Sequence, residues 1–135
     1  MSKETAVTPT PLEIEQFPEK LAVLRLAPGA DVPDWAEASS ILSVTATAAA
    51  TTLVCAGRNV PKKVPGVRGL IGFAANGDGA DAGVLAGLLA PLAEVSVQVL
   101  SGIDQIWILV PADDADRAAE AWRRQGHTVA PAVPE

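Results

Sequence analysis

The hydrophobic pattern of residues 67–129 changes its period several times, and no other feature constrains the fold as strongly. A period of two is typical of strands, and a period of 3.6 is typical of amphipathic helices. The pattern predicts the order strand, helix, strand, strand, helix, at residues 67–74, 81–94, 95–100, 106–110 and 113–125. A last short strand follows Gly126, a residue type that often ends helices.

The resulting order, βαββαβ, is that of the ferredoxin-like arrangement, in which one antiparallel sheet carries two helices on one face. The predicted class is therefore α+β. Because this arrangement supports many unrelated functions, function has to be argued from a site.

The chain before residue 67 has a weaker pattern. It predicts a strand, one helical turn anchored by Trp35, and a hairpin, at residues 21–26, 33–37, 41–47 and 51–56. Prolines and mixed charges at the start predict a flexible arm, although Leu12, Ile14 and Phe17 could instead lie against the domain as an extended segment. The predicted organisation is an arm, a degenerate half, a regular half and a tail, at residues 1–20, 21–66, 67–129 and 130–135.

Short motifs spread over residues 21–129 resemble those of ACT-domain sensors, and more narrowly those of small bacterial ACT proteins related to the arginine-sensing CASTOR proteins. The motifs are Ser43-Val44-Thr45, Val60-Pro61, Arg68-Gly69, Asp78 followed by Gly83-Val84-Leu85, Pro91-Leu92-Ala93, Ser101 and Asp104, Ile108-Leu109-Val110, and Gly126-His127. The resemblance implies a ferredoxin-like ACT-type C-terminal half behind a degenerate ACT-like N-terminal half. It also implies binding of a small metabolite, an amino acid above all, in a regulatory or sensing role without catalysis.

The glycine-rich segment between the first strand and helix of the regular half is the first candidate site. Glycine allows close backbone approach to a ligand, and a helix start offers unpaired N–H groups that suit a carboxylate. The carboxylate of Asp78 or Asp81 could then bind the ammonium group of an amino acid. The alternative is a plain turn in which Asp81 caps the helix. The predicted ligand-binding residues here are Asn76, Gly77, Asp78, Gly79, Ala80 and Asp81.

The turn before the buried strand is the second candidate, with predicted ligand-binding residues Ser101, Gly102, Ile103 and Asp104. The alternative is an ordinary β-turn in which Asp104 bonds its own backbone. Related proteins carry aromatic residues at the positions of Ile103 and Trp107 and an aspartate at that of Ile106, so fewer polar groups converge here. This departure implies a ligand that is different, less charged or absent.

Composition excludes several classes of function. A net charge of −6 argues against nucleic-acid binding, and no apolar run is long enough to predict a membrane span. One cysteine and one histidine, Cys55 and His127, cannot build a zinc cluster or a catalytic triad with each other. We therefore expect no cofactor, no metal site and no enzymatic activity, in a cytoplasmic protein. A ligand-free assembly or partner-docking module is the alternative to a sensor, and a small enzyme ranks third.

Assembly follows from the expected sheet. Helices cover only one face of a ferredoxin-like sheet, so the other face needs a second layer. The N-terminal half or a second subunit could supply that layer, and we expect a homodimer. Pairing of two chains would place residues 77–81 of one near residues 101–104 of the same chain or of the other.

Overall fold

A computed structural model describes residues 11–131 as seven strands and three α-helices. In chain order these are β1 (Glu13–Leu26), α1 (Asp34–Glu37), β2 (Leu42–Ala46), β3 (Thr51–Ala56), β4 (Arg68–Ala75), α2 (Ala82–Leu89), β5 (Gln98–Ser101), β6 (Ile106–Pro111), α3 (Ala115–Arg124) and β7 (Thr128–Pro131). Residues 1–10 of the predicted arm and residues 132–135 of the predicted tail lie outside the described residues, whereas residues 130 and 131 of that tail belong to β7.

The order of elements after residue 67 agrees with the predicted βαββαβ pattern, with shifted bounds. Helix α2 ends at Leu89 rather than near residue 94, because Pro91 has no N–H for a further helical bond. A single 3₁₀ turn continues the chain there, and β5 begins only at Gln98. At the start of α3, Asp114 and Arg117 form an ion pair at 2.6 Å.

The sheet itself is not the simple ferredoxin-like arrangement. All strands form one sheet in the order β2-β3-β1-β4-β6-β5, and β7 pairs in parallel with the start of β1. In a simple ferredoxin-like sheet the first and last strands of the unit are neighbours. Here the start of β1 lies between β4 and β7, so the two predicted halves share a continuous, mostly antiparallel sheet.

Strand β1 links the two halves because it is long enough to pair in two places. Its first part, around Ile14, pairs with β4 and β7, and its second part, from Leu21, pairs with β3 and β4. The register shifts between Gln16 and Lys20, where Pro18 cannot donate a ladder hydrogen bond. The arm predicted for residues 1–20 was therefore wrong for residues 13–20, which follow the extended alternative.

Two apolar clusters lie on the face that carries the helices. The larger one joins α2 and α3 to the sheet, and Trp122 is its largest fully buried side chain. The Trp122 indole N–H donates to the carbonyl of Leu88 at 2.9 Å, and its ring meets Phe73 edge-on. The smaller cluster packs α1 against β1 and β3 around Leu24 and Leu53.

A third cluster is buried on the opposite, helix-free face. Its fully or nearly buried members are Leu21, Val54, Leu70 and Leu109, which come from β1, β3, β4 and β6. The sheet curves around them into a nearly closed barrel, so part of the face that was expected to need a second subunit is covered within one chain.

Candidate functional site

The two predicted ligand loops contact each other within one chain. The Gly79 N–H donates to the carbonyl of Gly102 at 2.9 Å. A Cβ atom on Gly79 would lie 2.5 Å from that carbonyl oxygen and 2.8 Å from the Cβ of Ser101. The close backbone approach that the glycine permits is thus made to the neighbouring loop, and Gly79 is buried there.

Both aspartates of the first loop bind the backbone of that loop. Oδ1 of Asp81 accepts from the N–H groups of Gly83 and Val84 at 2.9 and 3.2 Å, which is the geometry of a helix N-cap. Oδ1 of Asp78 accepts from Ala80 N–H at 2.8 Å. Because Asp81 occupies the helix start, a ligand carboxylate there would have to displace it.

Asn76 holds the start of β1 to the end of β4. Its side-chain oxygen accepts from the Glu13 backbone N–H at 2.7 Å, and the Asn76 backbone N–H donates to the Glu13 carbonyl at 3.1 Å. A Cβ atom on Gly77 would lie 3.4 Å from Val84 and Ile106 and 3.7 Å from Leu12, which are ordinary van der Waals distances. Asn76, one of the predicted site residues, therefore also orders the sheet.

The second loop is a turn closed by its own backbone. The Gly102 N–H donates to the Gln105 carbonyl at 2.8 Å, and the side chains of Ser101 and Asp104 are exposed. Ile103 at the tip is 84% exposed. An apolar side chain that exposed cannot enclose a ligand within a single chain.

A pocket of about 300 Å³ lies beside these loops, on the helix-free face where β7, β1 and β4 meet the β5–β6 turn. It is lined by Glu13, Ile14, Glu15, Ala74, Asn76, Asp104, Gln105, Thr128 and Ala130. Two of the predicted site residues, Asn76 and Asp104, are among them. Three of the lining residues, Glu13, Glu15 and Asp104, are acidic, and none is basic.

The sheet register explains why the two glutamates face the pocket. Glu13 is paired with Thr128, and Glu15 is paired with both Ala74 and Ala130. Ile14, between them, points to the opposite face and is buried in the main core. Both glutamates fall in the segment that was expected to be an arm, although Glu13, Ile14 and Glu15 already alternate with the period of a strand.

Two amides in the pocket have a fixed orientation. The Asn76 side-chain oxygen is bonded to Glu13, and Oε1 of Gln105 accepts from the Trp107 indole N–H at 2.9 Å. An amide whose oxygen is engaged presents its NH₂ group to whatever lies beyond. Within residues 11–131 neither NH₂ group has a hydrogen-bond partner, so both can donate to a ligand.

His127 secures the β7 side of the pocket. Its Nδ1 accepts from the Leu12 N–H at 3.0 Å, and the next residue, Thr128, donates its N–H to the Leu12 carbonyl. An accepting Nδ1 requires a neutral ring with the proton on Nε2. Desolvation by burial lowers the pKa of His127, which favours the same neutral form.

Other reactive groups lie away from the pocket. Cys55 is fully buried in β3, and burial raises the pKa of its thiol, which disfavours the nucleophilic thiolate. Among the described residues, no three His, Cys, Asp or Glu side chains are arranged to hold a metal ion. The helices between residues 11 and 131 are all too short or too polar to cross a membrane.

No family model matches the sequence, and no curated protein matches it significantly. Solved structures are similar in fold. The Agrobacterium tumefaciens protein Atu0741 matches with a TM-score of 0.81 and 20% identity, over 94% of this chain and 98% of that one. A Vibrio cholerae protein of unknown function, VC0802, described as a possible transport protein, matches with a TM-score of 0.65 and 16% identity, over 84% of this chain and 89% of that one.

Escherichia coli aspartokinase III, solved in complex with aspartate and ADP, matches with a TM-score of 0.58 and 12% identity. The match covers 84% of this chain but 32% of the enzyme, which contains ACT domains. At such identities the likeness concerns the fold alone. The resemblance to ACT domains therefore has partial structural support, and the function of this chain does not follow from any of these three proteins.

Proposed function

We propose that this chain is a non-catalytic regulatory module that binds a small metabolite with a charged amino group, most simply an amino acid. The observation that carries the proposal is the pocket lined by Glu13, Glu15 and Asp104 beside two oriented amides. Its volume of about 300 Å³ is at the small end of the range for small-molecule sites. A cytoplasmic location, as expected from the sequence, belongs to the same proposal.

Both ends of an amino acid have complementary groups in this pocket. The carboxylates suit the ammonium group, because charge-assisted hydrogen bonds are the strong ones. The NH₂ groups of Asn76 and Gln105 suit the carboxylate, a role that Asp81 prevents the start of α2 from taking. The ligand would thus sit beside the two predicted loops, on the sheet, rather than between them.

A regulatory role follows from what the pocket joins. It is lined by residues of β1, β4, β7 and the β5–β6 turn, so a bound molecule would hold β7 and the start of β1 together. The partial likeness to aspartokinase III, which was solved with an amino acid bound, supports the same ligand class.

Thermal unfolding with a panel of amino acids tests the proposal. A ligand that binds only the folded state raises its stability by RT ln(1 + [L]/Kd). The amino acid should stabilise the native chain, whereas its N-acetyl derivative, which lacks the ammonium charge, should not. Glu15→Gln should abolish the effect, and Glu37→Gln, an exposed position in α1 outside the pocket, should retain it. Absence of any stabilisation at millimolar concentrations would contradict the proposal.

The second candidate is a ligand-free assembly module, favoured by the exposed apolar side chains of the edge strand β2. Such a protein would have a melting temperature that depends on its own concentration and not on added metabolites. The response to added amino acids distinguishes the two, because only the sensor is stabilised by a metabolite at a fixed protein concentration.

A further inference from the structure

Strand β2 is an unprotected edge of the sheet. Among the described residues it pairs only with β3, so one side of its backbone is free. Leu42 and Val44 are 39% and 42% exposed, and both point to the face that carries the apolar cluster of Leu53 and Cys55. An apolar edge of this kind invites pairing with another strand.

The other strands at the rim of the sheet carry protection that β2 lacks. Strand β7 ends in Pro131, and the Arg123 side chain donates to the Val129 carbonyl at 3.0 Å. Strand β5 has four residues, and its end is held by the contact of Gly102 with Gly79. Strand β2 has no proline and no register shift, and no side chain between residues 11 and 131 bonds its backbone.

The absence of charge on the β2–β3 hairpin favours a second copy of this chain as the partner at this edge. Residues 38–57 form the longest uncharged run of a chain whose net charge is −6. A basic or acidic partner would find no complementary charge on the β2–β3 hairpin. A second copy of the chain would meet no like charge there, although the two molecules repel each other over most of their remaining surface.

The hairpin geometry sets the register of such a pairing. The Thr47 N–H donates to the Ala50 carbonyl, and hydrogen-bonded pairs alternate along an antiparallel ladder. The backbone groups of Ser43 and Thr45 therefore face β3, and those of Leu42, Val44 and Ala46 face outward. This outward row is symmetric about Val44.

We propose that β2 pairs antiparallel with β2 of a second copy about a two-fold axis at Val44. Leu42 then lies opposite Ala46 of the other copy, and the two Val44 side chains lie side by side. The contact satisfies the free backbone groups and covers the exposed apolar side chains. It is independent of the ligand pocket, because the pocket lies at β7 and the start of β1 and contains no residue of β2.

Oxidative cross-linking tests the register. In a Cys55→Ala background, Val44→Cys should form a disulfide-linked dimer under mild oxidation. Opposed residues in a hydrogen-bonded antiparallel pair have Cα atoms about 5.5 Å apart, which suits a disulfide. Val97→Cys, at a position 37% exposed next to β5, is the matched control and should remain monomeric.

Sedimentation velocity gives the complementary readout without a cross-link. The native chain should be a dimer at high micromolar concentration, and Val44→Lys should be a folded monomer with an unchanged circular dichroism spectrum. Val97→Lys should remain a dimer. A monomeric native chain, or equal cross-linking at positions 44 and 97, would overturn the inference.

Discussion

The two ends of β1 differ in their polar contacts. Its first part lies between β4 and β7, where Ile14 is buried in the main core and side chains also bind the backbone: Asn76 accepts from Glu13 and His127 accepts from Leu12. Its second part lies between β3 and β4, where Leu21 and Leu24 are buried in two apolar clusters. Polar groups remain available to a ligand at the first end, whereas the second leads through β3 to an uncharged edge that suits association.

The largest expected effect lies at the apolar end. Leu21→Ala should lower the free energy of unfolding by about 2–5 kcal/mol, because the side chain is fully buried and its removal leaves a cavity. Glu15→Ala, in the same strand but exposed, should change it far less. Urea denaturation of both variants measures the difference, and similar losses would show that the buried Leu21 contributes no more than an exposed side chain of the same strand.

A smaller effect is expected where the two loops meet. Gly79→Ala places a methyl group 2.5 Å from the Gly102 carbonyl oxygen, and such overpacking costs about 1–3 kcal/mol. Gly87→Ala is the matched control, since nothing lies within 4 Å of a Cβ built there. In α2 that change should gain about 0.5–1 kcal/mol. A neutral Gly79→Ala variant would mean that the loops separate readily.

The hydrogen-bonded end of β1 should tolerate loss of one bond. Asn76→Ala removes the acceptor for the Glu13 N–H and should cost about 0.5–1.5 kcal/mol, the usual net value of one hydrogen bond. Faster amide exchange at Glu13 and Asn76, with unchanged exchange at Leu24, would locate the effect at this end. Faster exchange throughout the strand would instead show that Asn76 supports the whole of β1.

The smallest effect is a pH dependence that originates at His127. Its pKa in the folded state lies below the ordinary value of 6.5, so the unfolded chain binds the proton first as the pH falls. The contribution of His127 to the free energy of unfolding is therefore fully present above the ordinary pKa, and it is lost as the pH falls below that value. The His127→Asn variant keeps a hydrogen-bond acceptor at this position but has no titrating group there. The loss of stability that His127 causes between about pH 7 and pH 5 should therefore be absent from this variant. An identical pH profile for both proteins would contradict this prediction.

Sequence reasoning located the regular half well because its periodicity is local. The clear runs around Leu88 and Ile108 each specify an element without reference to distant residues. The same periodicity did not place residues 13–16, because their alternation is short and lies among prolines, and their partners in β4 and β7 are far along the chain. Without that placement a simple ferredoxin-like sheet was the natural expectation.

The candidate site was also predictable only in part. The prediction that the two glycine-containing loops lie near each other is confirmed within one chain by the bond from Gly79 to Gly102. The pocket was not predictable, since two of its carboxylates, Glu13 and Glu15, come from the strand that was assigned to an arm. The helix start was expected to bind a ligand carboxylate, but local capping by Asp81 competes for it.

Hydrogen exchange with and without a saturating amino acid tests the central claim most directly. The ligand should slow exchange at the pocket end, at residues 13–16, 104–105 and 128–131, and leave residues 42–46 of the β2 edge unchanged. Slower exchange confined to the β2 edge, or no change at any amide, would contradict the assignment of ligand binding to the first part of β1.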